Sequence, residues 1–267
     1  MVLYLIGLGL CDEKDITVRG LEAIKKCSHV YLEGYTSILS VDVENLEKLY
    51  SKKIIVADRD MMESNAEEIL DHAVEDDVAM LVVGDVFGAT THYDFYTRAL
   101  NRSIKVEVIH NTSILTAVSA CGLQLYSYGQ TISIPFFSET WRPDSFYDKI
   151  VFNKSGGLHT LCLLDIKVKE QSIENLLKRR KIYEPPRYMT VNEAIEQLFE
   201  VEEKKQKKIC TPDTLAIGLA RVGTKSQLIK SGTLSELKEV DFGGPLHCLI
   251  IAGDLQETEK EYLEIWK

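Results

Sequence analysis

Two short apolar runs constrain the fold of this chain more than any other feature. They cover residues 2–8 and 78–83, and neither alternates apolar with polar positions. A strand has this pattern when both of its faces are buried, as happens in a parallel sheet covered by helices. Weaker strands are predicted at 53–57 and 104–109. The first third of the chain is therefore predicted to contain a parallel sheet.

Helical patterns separate these strands. Residues 15–33 carry apolar side chains at helical spacing, and a capping box at 64–67 begins another predicted helix. Strand and helix thus alternate through four strands. This order predicts an α/β fold with helices on both faces of the sheet.

The pattern changes after residue 112. Alternating residues predict a half-exposed strand at 131–134, and buried strands are expected at 159–165, 215–221 and 246–252. Helices are predicted at 172–180, at 191–203 after a second capping box, and from about Glu257. With fewer crossover helices, the second sheet should be mixed. We predict two α/β domains, 1–112 and 113–267.

The composition narrows the range of possible partners, sites and locations. The 267 residues carry a net charge of −10, which makes nucleic acid a poor candidate partner. Six scattered cysteines without a C-x-x-C pair indicate neither a metal site nor a disulfide framework. The apolar start lacks a basic segment, and no run is long enough to span a bilayer. We expect a cytoplasmic protein that is neither secreted nor a membrane protein.

The turn after the first strand contains Gly7 and Gly9. It begins like a dinucleotide fingerprint, but Asp12 stands where the third glycine would be. A carboxylate there would face a pyrophosphate, so a ligand without phosphates fits better. A tight turn that binds nothing remains an equal alternative from this motif alone.

Two further turns follow buried strands. The segment 84–92 (GDVFGATTH) combines glycines with a carboxylate, hydroxyls and an imidazole. Asp85 can bind ribose hydroxyls or an ammonium group, although an Asx turn is the alternative. Ser113 either lines the same ligand site or only caps a helix. His247 has the pattern of a hydrogen-bonded core histidine.

Several catalytic motifs are missing. The chain contains no G-x-x-x-x-G-K-[ST], H-E-x-x-H or G-x-S-x-G, so nucleotide hydrolysis, zinc-protease and α/β-hydrolase chemistry lack support. A reaction that depends mainly on positioning is favoured. Methyl transfer from a sulfonium is such a reaction, because the donor is already activated.

The chain resembles the diphthine synthases, a family of S-adenosylmethionine-dependent methyltransferases with the tetrapyrrole-methylase fold. The resemblance covers the whole chain and is closest to the eukaryotic branch. It is carried by the segments LYLIGLGL, VVGDVFGATTH, HNTSI, CLLDIKVKE, KIYEPPRYM, GLARVG and PLHCLII. It implies two α/β domains that hold the donor in the cleft between them, within a homodimer. The donor would leave as S-adenosylhomocysteine.

The resemblance also implies which residues contact the donor, and it raises His247 to a site residue. Backbone contacts should dominate at the residues with apolar side chains. The implied set is Leu10, Asp85, Gly88, Ser113, Ile114, Leu164, Val222 and His247. Val86 departs from the family, which usually has proline there, so this turn is less constrained.

The implied substrate is translation elongation factor 2 carrying a 3-amino-3-carboxypropyl group on one histidine. The amine would be trimethylated and, in the eukaryotic branch, the carboxylate esterified, which is a step of diphthamide biosynthesis. No catalytic residue is identified. The alternatives are methylation of a precorrin-type tetrapyrrole, a dinucleotide-dependent oxidoreductase, and a binding module without catalysis.

Overall fold

The computed structural model describes residues 1–63, 66–171, 175, 177–178, 180 and 182–267. The chain divides into two compact units, Met1–Ala117 and Val118–Lys267. The sequence placed the boundary after residue 112. In the structure the short helix that follows Ser113 belongs to the first unit.

The first unit contains a five-stranded sheet in the order β3-β2-β4-β1-β5. All four pairs of neighbouring strands run parallel. The strands are β1 (Val2–Gly7), β2 (His29–Glu33), β3 (Ile55–Ala57), β4 (Val78–Val82) and β5 (Lys105–Ile109).

The central strand β4 explains why the apolar runs do not alternate. Val78, Met80 and Val82 pack into one hydrophobic cluster. Ala79 and Leu81, which point to the opposite face, pack into another. Both faces of the sheet are therefore covered, and the predicted parallel sheet is confirmed.

In the described part of the first unit, six helices accompany this sheet. The first begins at Thr17, whose hydroxyl accepts a hydrogen bond from Gly20 N at 3.0 Å. This N-cap satisfies one of the free amides at the helix start. The helices are α1 (Val18–Lys26), α2 (Val43–Tyr50), α3 (Arg59–Glu63), α4 (Glu67–Glu75), α5 (Tyr93–Asn101) and α6 (Ile114–Ala117).

The prediction of helical structure through residues 15–33 was wrong for the second half of that segment. Helix α1 ends at Lys26, and Cys27 already has extended backbone angles. Residues 29–33 form β2, so the sheet has five strands rather than four. Only Cys27 and Ser28 separate the two elements, and neither is a glycine or a proline, the residues that most strongly mark a break.

The second unit contains a mixed sheet in the order β11-β10-β12-β7-β6. Only β6 and β7 are parallel, and the other pairs are antiparallel. Its strands are β6 (Ile132–Ile134), β7 (Thr160–Leu164), β10 (Leu215–Ala220), β11 (Leu228–Thr233) and β12 (His247–Ile251). A separate ribbon pairs β8 (Ile166–Lys167) with β9 (Arg187–Tyr188). The predicted mixed sheet is confirmed.

Helices cover this second sheet. The predicted capping box at Thr190 and Glu193 is present and begins the longest of them. The helices are α7 (Ser145–Ser155), α8 (Val191–Lys205), α9 (Leu234–Lys238) and α10 (Glu257–Leu263), with 3₁₀ turns at Val118–Cys121, Leu125–Ser127 and Glu264–Trp266.

Two predictions lie outside the described residues. The capping box at 64–67 includes residues 64 and 65, and most of the predicted helix at 172–180 falls in the gaps. Within the part of the chain that is described, no helix has the length and apolar character required to cross a membrane.

Candidate functional site

Three loops meet at one edge of the first sheet. They follow β1, β4 and β5, which are neighbours in the order β4-β1-β5. Because these strands are parallel, their carboxyl ends lie at the same edge. This is where ligands bind in open α/β sheets.

Two glycines join the loops after β1 and β4. Gly9 and Gly84 exchange backbone hydrogen bonds of 3.1 and 2.7 Å. Both have left-handed backbone angles, with φ of +79° and +80°, which glycine adopts without strain. A Cβ on Gly7 would lie 2.7 Å from Gly84 O, so these backbones approach too closely for a side chain.

The amides of the first loop are already satisfied by an internal carboxylate. Asp15 Oδ2 accepts hydrogen bonds from Leu10 N at 3.1 Å and Cys11 N at 2.8 Å. In a dinucleotide fold, amides of this turn and the following helix would face a pyrophosphate. Here a side chain of the protein supplies the negative charge, so the geometry favours a ligand without phosphates.

Asp85 ties the other two loops together. Its Oδ1 accepts a hydrogen bond from Phe87 N at 3.0 Å, and its Oδ2 accepts one from Asn111 N at 3.0 Å. His110 Nδ1 lies 2.9 Å from the same Oδ2. The Asx turn considered from the sequence is therefore present. Contact of Asp85 with a donor stays a prediction.

These contacts keep the Asp85 carboxylate ionised. Its partial burial on its own would raise the pKa. The hydrogen bonds from Asn111, Phe87 and His110 outweigh this effect and place the pKa below its ordinary value. The edge thus holds a fixed negative charge that is partly exposed, because 13% of the side chain is accessible.

Gly88 and Ser113 form a close contact. A Cβ on Gly88 would lie 2.4 Å from Ser113 Oγ and 2.7 Å from Ser113 Cβ. Ser113 Oγ accepts a hydrogen bond from Leu115 N at 3.2 Å, so the capping role is also present. Ile114, the first residue of α6, is half-buried beside it.

His92 has a buried nitrogen without a partner. Its side chain lies at the start of α5, and the residue is only 3% exposed. Nε2 makes no hydrogen bond with any described residue. Burial lowers the pKa of the imidazole to about 4, so it is neutral at pH 7. An unpaired buried polar atom is costly, and a polar ligand atom would satisfy it.

The three remaining predicted residues lie at one edge of the second sheet. Leu164 ends β7, Val222 follows β10 and His247 begins β12. Because β12 is antiparallel to both neighbours, its start pairs with the ends of β10 and β7. Each group of predicted residues is therefore brought together within its own unit.

His247 is fully hydrogen-bonded within the second unit. Its Nδ1 accepts a hydrogen bond from Val191 N at 3.3 Å, and Nε2 donates to Gly244 O at 3.0 Å. Burial lowers its pKa more than the Gly244 contact raises it, so the ring is neutral at pH 7. The satisfied histidine expected from the sequence is present.

Asp15 and His110 were not recognised as site residues from the sequence, and Asn111 was recognised only as the first residue of the turn that contains Ser113. Asn111 donates to Gly7 O and Asp15 O, both at 3.0 Å, and so fastens the loop after β5 to the loop after β1. The usable signal was position, because His110 and Asn111 directly follow β5 as Asp85 follows β4.

Within the described ranges, no group of three or more His, Cys, Asp or Glu side chains could hold a metal ion.

The chain has relatives among known proteins. Residues 2–238 match the family model of the tetrapyrrole (corrin/porphyrin) methylases. A solved structure described as diphthine synthase superposes with a TM-score of 0.85 at 32% sequence identity, covering 100% of this chain and 96% of that one.

Curated relatives are more similar in sequence. The diphthine methyl ester synthase of Dictyostelium discoideum is 62% identical, over 100% of this chain and 98% of its own length. The protein of the same name from Saccharomyces cerevisiae is 60% identical, over 98% of this chain and 88% of its own length. The chain therefore belongs to the tetrapyrrole methylase family, in the branch formed by the diphthine methyl ester synthases.

Proposed function

We propose that this chain uses S-adenosylmethionine to methylate the 3-amino-3-carboxypropyl group on a histidine of translation elongation factor 2. The chain is a methyltransferase of diphthamide biosynthesis. The observation that carries this proposal is the similarity to diphthine methyl ester synthases along the whole chain, at 56 to 62% identity. The product of the donor would be S-adenosylhomocysteine.

The first unit fits such a donor chemically. S-adenosylmethionine has no phosphate, and the amides of the first loop need none because Asp15 already binds them. The ionised Asp85 carboxylate can accept hydrogen bonds from ribose hydroxyls or pair with an ammonium group. His92 Nε2 offers one more polar atom without a protein partner. We propose that Leu10 and Ile114 contribute backbone contacts to the donor and that Gly88 and Ser113 form a wall of the donor site.

The resemblance assigns Leu164, Val222 and His247 of the second unit to the same donor. Both nitrogens of His247 are engaged by backbone atoms, so its own contact with the donor would use the ring face or a rearranged hydrogen bond. Leu164 and Val222 are each 8% exposed and offer no polar side-chain atom. Their contribution would come from the backbone and from apolar contact.

When bound, the donor supplies an activated methyl group on a sulfonium. The task of the protein is then to bind, orient and exclude competing nucleophiles, which can contribute much of the rate. The bonds that fasten the three loops serve this task, because Asp85 and Asn111 hold the loop ends in fixed relative positions. A carboxylate acceptor is ready at pH 7, whereas an amine acceptor must first lose a proton.

Three further properties complete the proposal. We propose a cytoplasmic location, where elongation factor 2 acts, and a homodimer as the functional assembly. The net charge of −10 opposes direct binding to a phosphate backbone. The protein substrate is therefore recognised as a protein rather than through bound RNA.

The test is mass spectrometry of elongation factor 2 after incubation with this chain and S-adenosylmethionine carrying a labelled methyl group. The substrate should carry the unmethylated 3-amino-3-carboxypropyl histidine, and an unmodified factor serves as the control. Label should appear on the modified histidine and nowhere on the control. Label found in a precorrin, and none in elongation factor 2, would favour the tetrapyrrole alternative.

A further inference from the structure

His110 directly follows β5. One of its ring nitrogens contacts the Asp85 carboxylate, and the other does not. Its Nδ1 lies 2.9 Å from Asp85 Oδ2, while 68% of the side chain is exposed. Phe87 contacts the ring edge-on, with ring centroids 6.3 Å apart. The imidazole is thus oriented from two sides and open to the surroundings on a third.

The Asp85 carboxylate, which is the hydrogen-bond partner of His110, determines the tautomer of the imidazole ring. The Asp85 carboxylate is ionised because its pKa is low: hydrogen bonds from Asn111, Phe87 and His110 outweigh the opposing effect of burial. An ionised carboxylate can only accept hydrogen bonds. Nδ1 therefore carries the proton, and the lone pair of the neutral ring is on Nε2. This is the arrangement of a histidine prepared to accept a proton.

Resting on the proposed function, we propose that His110 is the general base that removes the proton from the amine of the acceptor before methyl transfer. Asp85 is then a positioning residue, which orients the ring and stabilises the imidazolium. The proposal applies to the amine alone. The carboxylate of the same acceptor is already ionised and needs no base.

The step balances as follows. The ammonium N–H bond breaks and its proton moves to His110 Nε2, which leaves a lone pair on the amine. That lone pair forms the new N–C bond to the methyl carbon while the C–S bond breaks and its electrons remain on sulfur. The imidazolium then returns its proton to water, which its exposure allows.

Position supports this role. The Asp85 carboxylate that contacts His110 is the same one that we assign to the donor. On this assignment a single side chain would lie between the base and the donor. Asn111, the next residue, is fastened to the loop after β1. Two other histidines of the first unit are unsuited to this role. His92 is buried, and His29 begins β2 and so lies at the opposite end of the sheet.

The same sheet supplies a matched control. His29 Nε2 lies 3.8 Å from Asp76 Oδ2, so it is also a histidine beside a carboxylate. It differs from His110 in lying at the amino end of its strand. His29→Ala removes the same chemical group without touching the donor loops.

The experiment compares wild type, His110→Ala, His110→Gln and His29→Ala on two forms of modified elongation factor 2. One form carries the free amine and the other carries the amine already trimethylated, so that only ester formation remains. At pH 7 both His110 variants should lose about 10²-fold in the rate of amine methylation. This loss should shrink as the pH rises toward the pKa of the amine, and added imidazole should restore part of the rate to His110→Ala.

Three readouts separate a base from a structural residue. In the His110 variants the rate of ester formation should fall at least about tenfold less than the rate of amine methylation, whereas His29→Ala should leave both rates and the affinity for S-adenosylhomocysteine within about twofold of wild type. Nitrogen NMR of wild type should show the Nδ1–H tautomer of His110, and Asp85→Asn should disturb it. Unchanged amine methylation in His110→Ala would overturn the proposal, and so would equal losses in both methyl transfers. If wild type itself transfers no methyl group to either form, the proposed function fails instead.

Discussion

Burial of the His92 imidazole makes the stability of the first unit depend on pH. The pKa of this ring is lowered to about 4, against about 6.5 for a histidine in an unfolded chain. Below pH 6.5 the unfolded chain therefore binds a proton that the folded chain does not. The free energy of unfolding should fall as the pH decreases from 6.5 to 4, by roughly 3 kcal/mol for this residue.

Chemical denaturation of wild type and His92→Phe at pH 7 and pH 5 measures this effect. His159 and His247 also have lowered pKa values, so both proteins lose stability in acid. The loss between the two pH values should be smaller in His92→Phe, because the unfolded variant no longer gains a proton at this position. Equal losses would show that His92 is protonated in the folded protein as easily as in the unfolded chain.

Single residues were predictable from the sequence where position along the chain was enough. Asp85, Gly88 and Ser113 stand in the loops that follow β4 and β5, and the structure places them together at one edge of the sheet. The contact between Asp85 and His110 joins positions 25 residues apart. Partners at such a separation are fixed by the fold and leave no local pattern, so the base candidate could not be found beforehand.

Strands with mixed or interrupted patterns were the elements that sequence reasoning missed. β2 follows α1 after only two residues, and its pattern continued the helical spacing. β11 has the sequence LIKSGT, whose polar positions fit a loop as well as an antiparallel strand. Both are identified only by pairing, since β2 lies between β3 and β4 and β11 pairs with β10. Long apolar runs, in contrast, were placed to within a residue or two.

The C-terminal helix α10 is attached to the second unit by a buried carboxylate. Glu259 is 1% exposed and accepts hydrogen bonds from Gln124 N and Gln256 N, both at 2.9 Å. His159 Nε2, which is also buried, lies 3.3 Å from Glu259 Oε1. Glu259→Ala would leave these donors unpaired, so we expect the free energy of unfolding to fall by about 3 kcal/mol or more.

The matched control lies two residues along the same helix. Glu261 is exposed, and its replacement by alanine should change the free energy of unfolding by less than about 0.5 kcal/mol. Urea denaturation of the two variants and wild type provides the comparison. Similar stabilities for Glu259→Ala and Glu261→Ala would mean that the buried carboxylate does not fasten α10.

On the scale of the whole molecule, the sequence was sufficient for the fold class. Continuous apolar runs separated by helices predicted the parallel sheet, and the changed pattern after residue 112 predicted the mixed one; both are present. Function needed more than patterns. In the sequence, the missing third glycine was only an indirect argument against a dinucleotide ligand. The structure shows that Asp15 Oδ2 already accepts hydrogen bonds from the amides of this loop. The substrate was inferred from the resemblance of the motifs to a known family, because no physical pattern in the chain identifies it.

If the proposed donor site is correct, binding of the donor product should depend on the close approach of the loops in the first unit. The wall at Gly88 has no room for a methyl group, since a Cβ there would lie 2.4 Å from Ser113 Oγ. Gly156, which ends α7, offers a matched control because the nearest atom to its Cβ would be 3.5 Å away. Overpacking of this kind costs about 1–3 kcal/mol in the native loop position. If the displaced loop must return to that position to bind the ligand, this cost lowers the affinity, by about tenfold for each 1.4 kcal/mol.

The most direct measurement is calorimetric titration of wild type, Gly88→Ala and Gly156→Ala with S-adenosylhomocysteine, and of wild type with a nicotinamide dinucleotide. Wild type and Gly156→Ala should bind S-adenosylhomocysteine with the same affinity, Gly88→Ala should bind it about tenfold more weakly, and the dinucleotide should not bind. Wild type that binds the dinucleotide, or that shows no binding of S-adenosylhomocysteine, would contradict a phosphate-free donor site at this edge of the sheet.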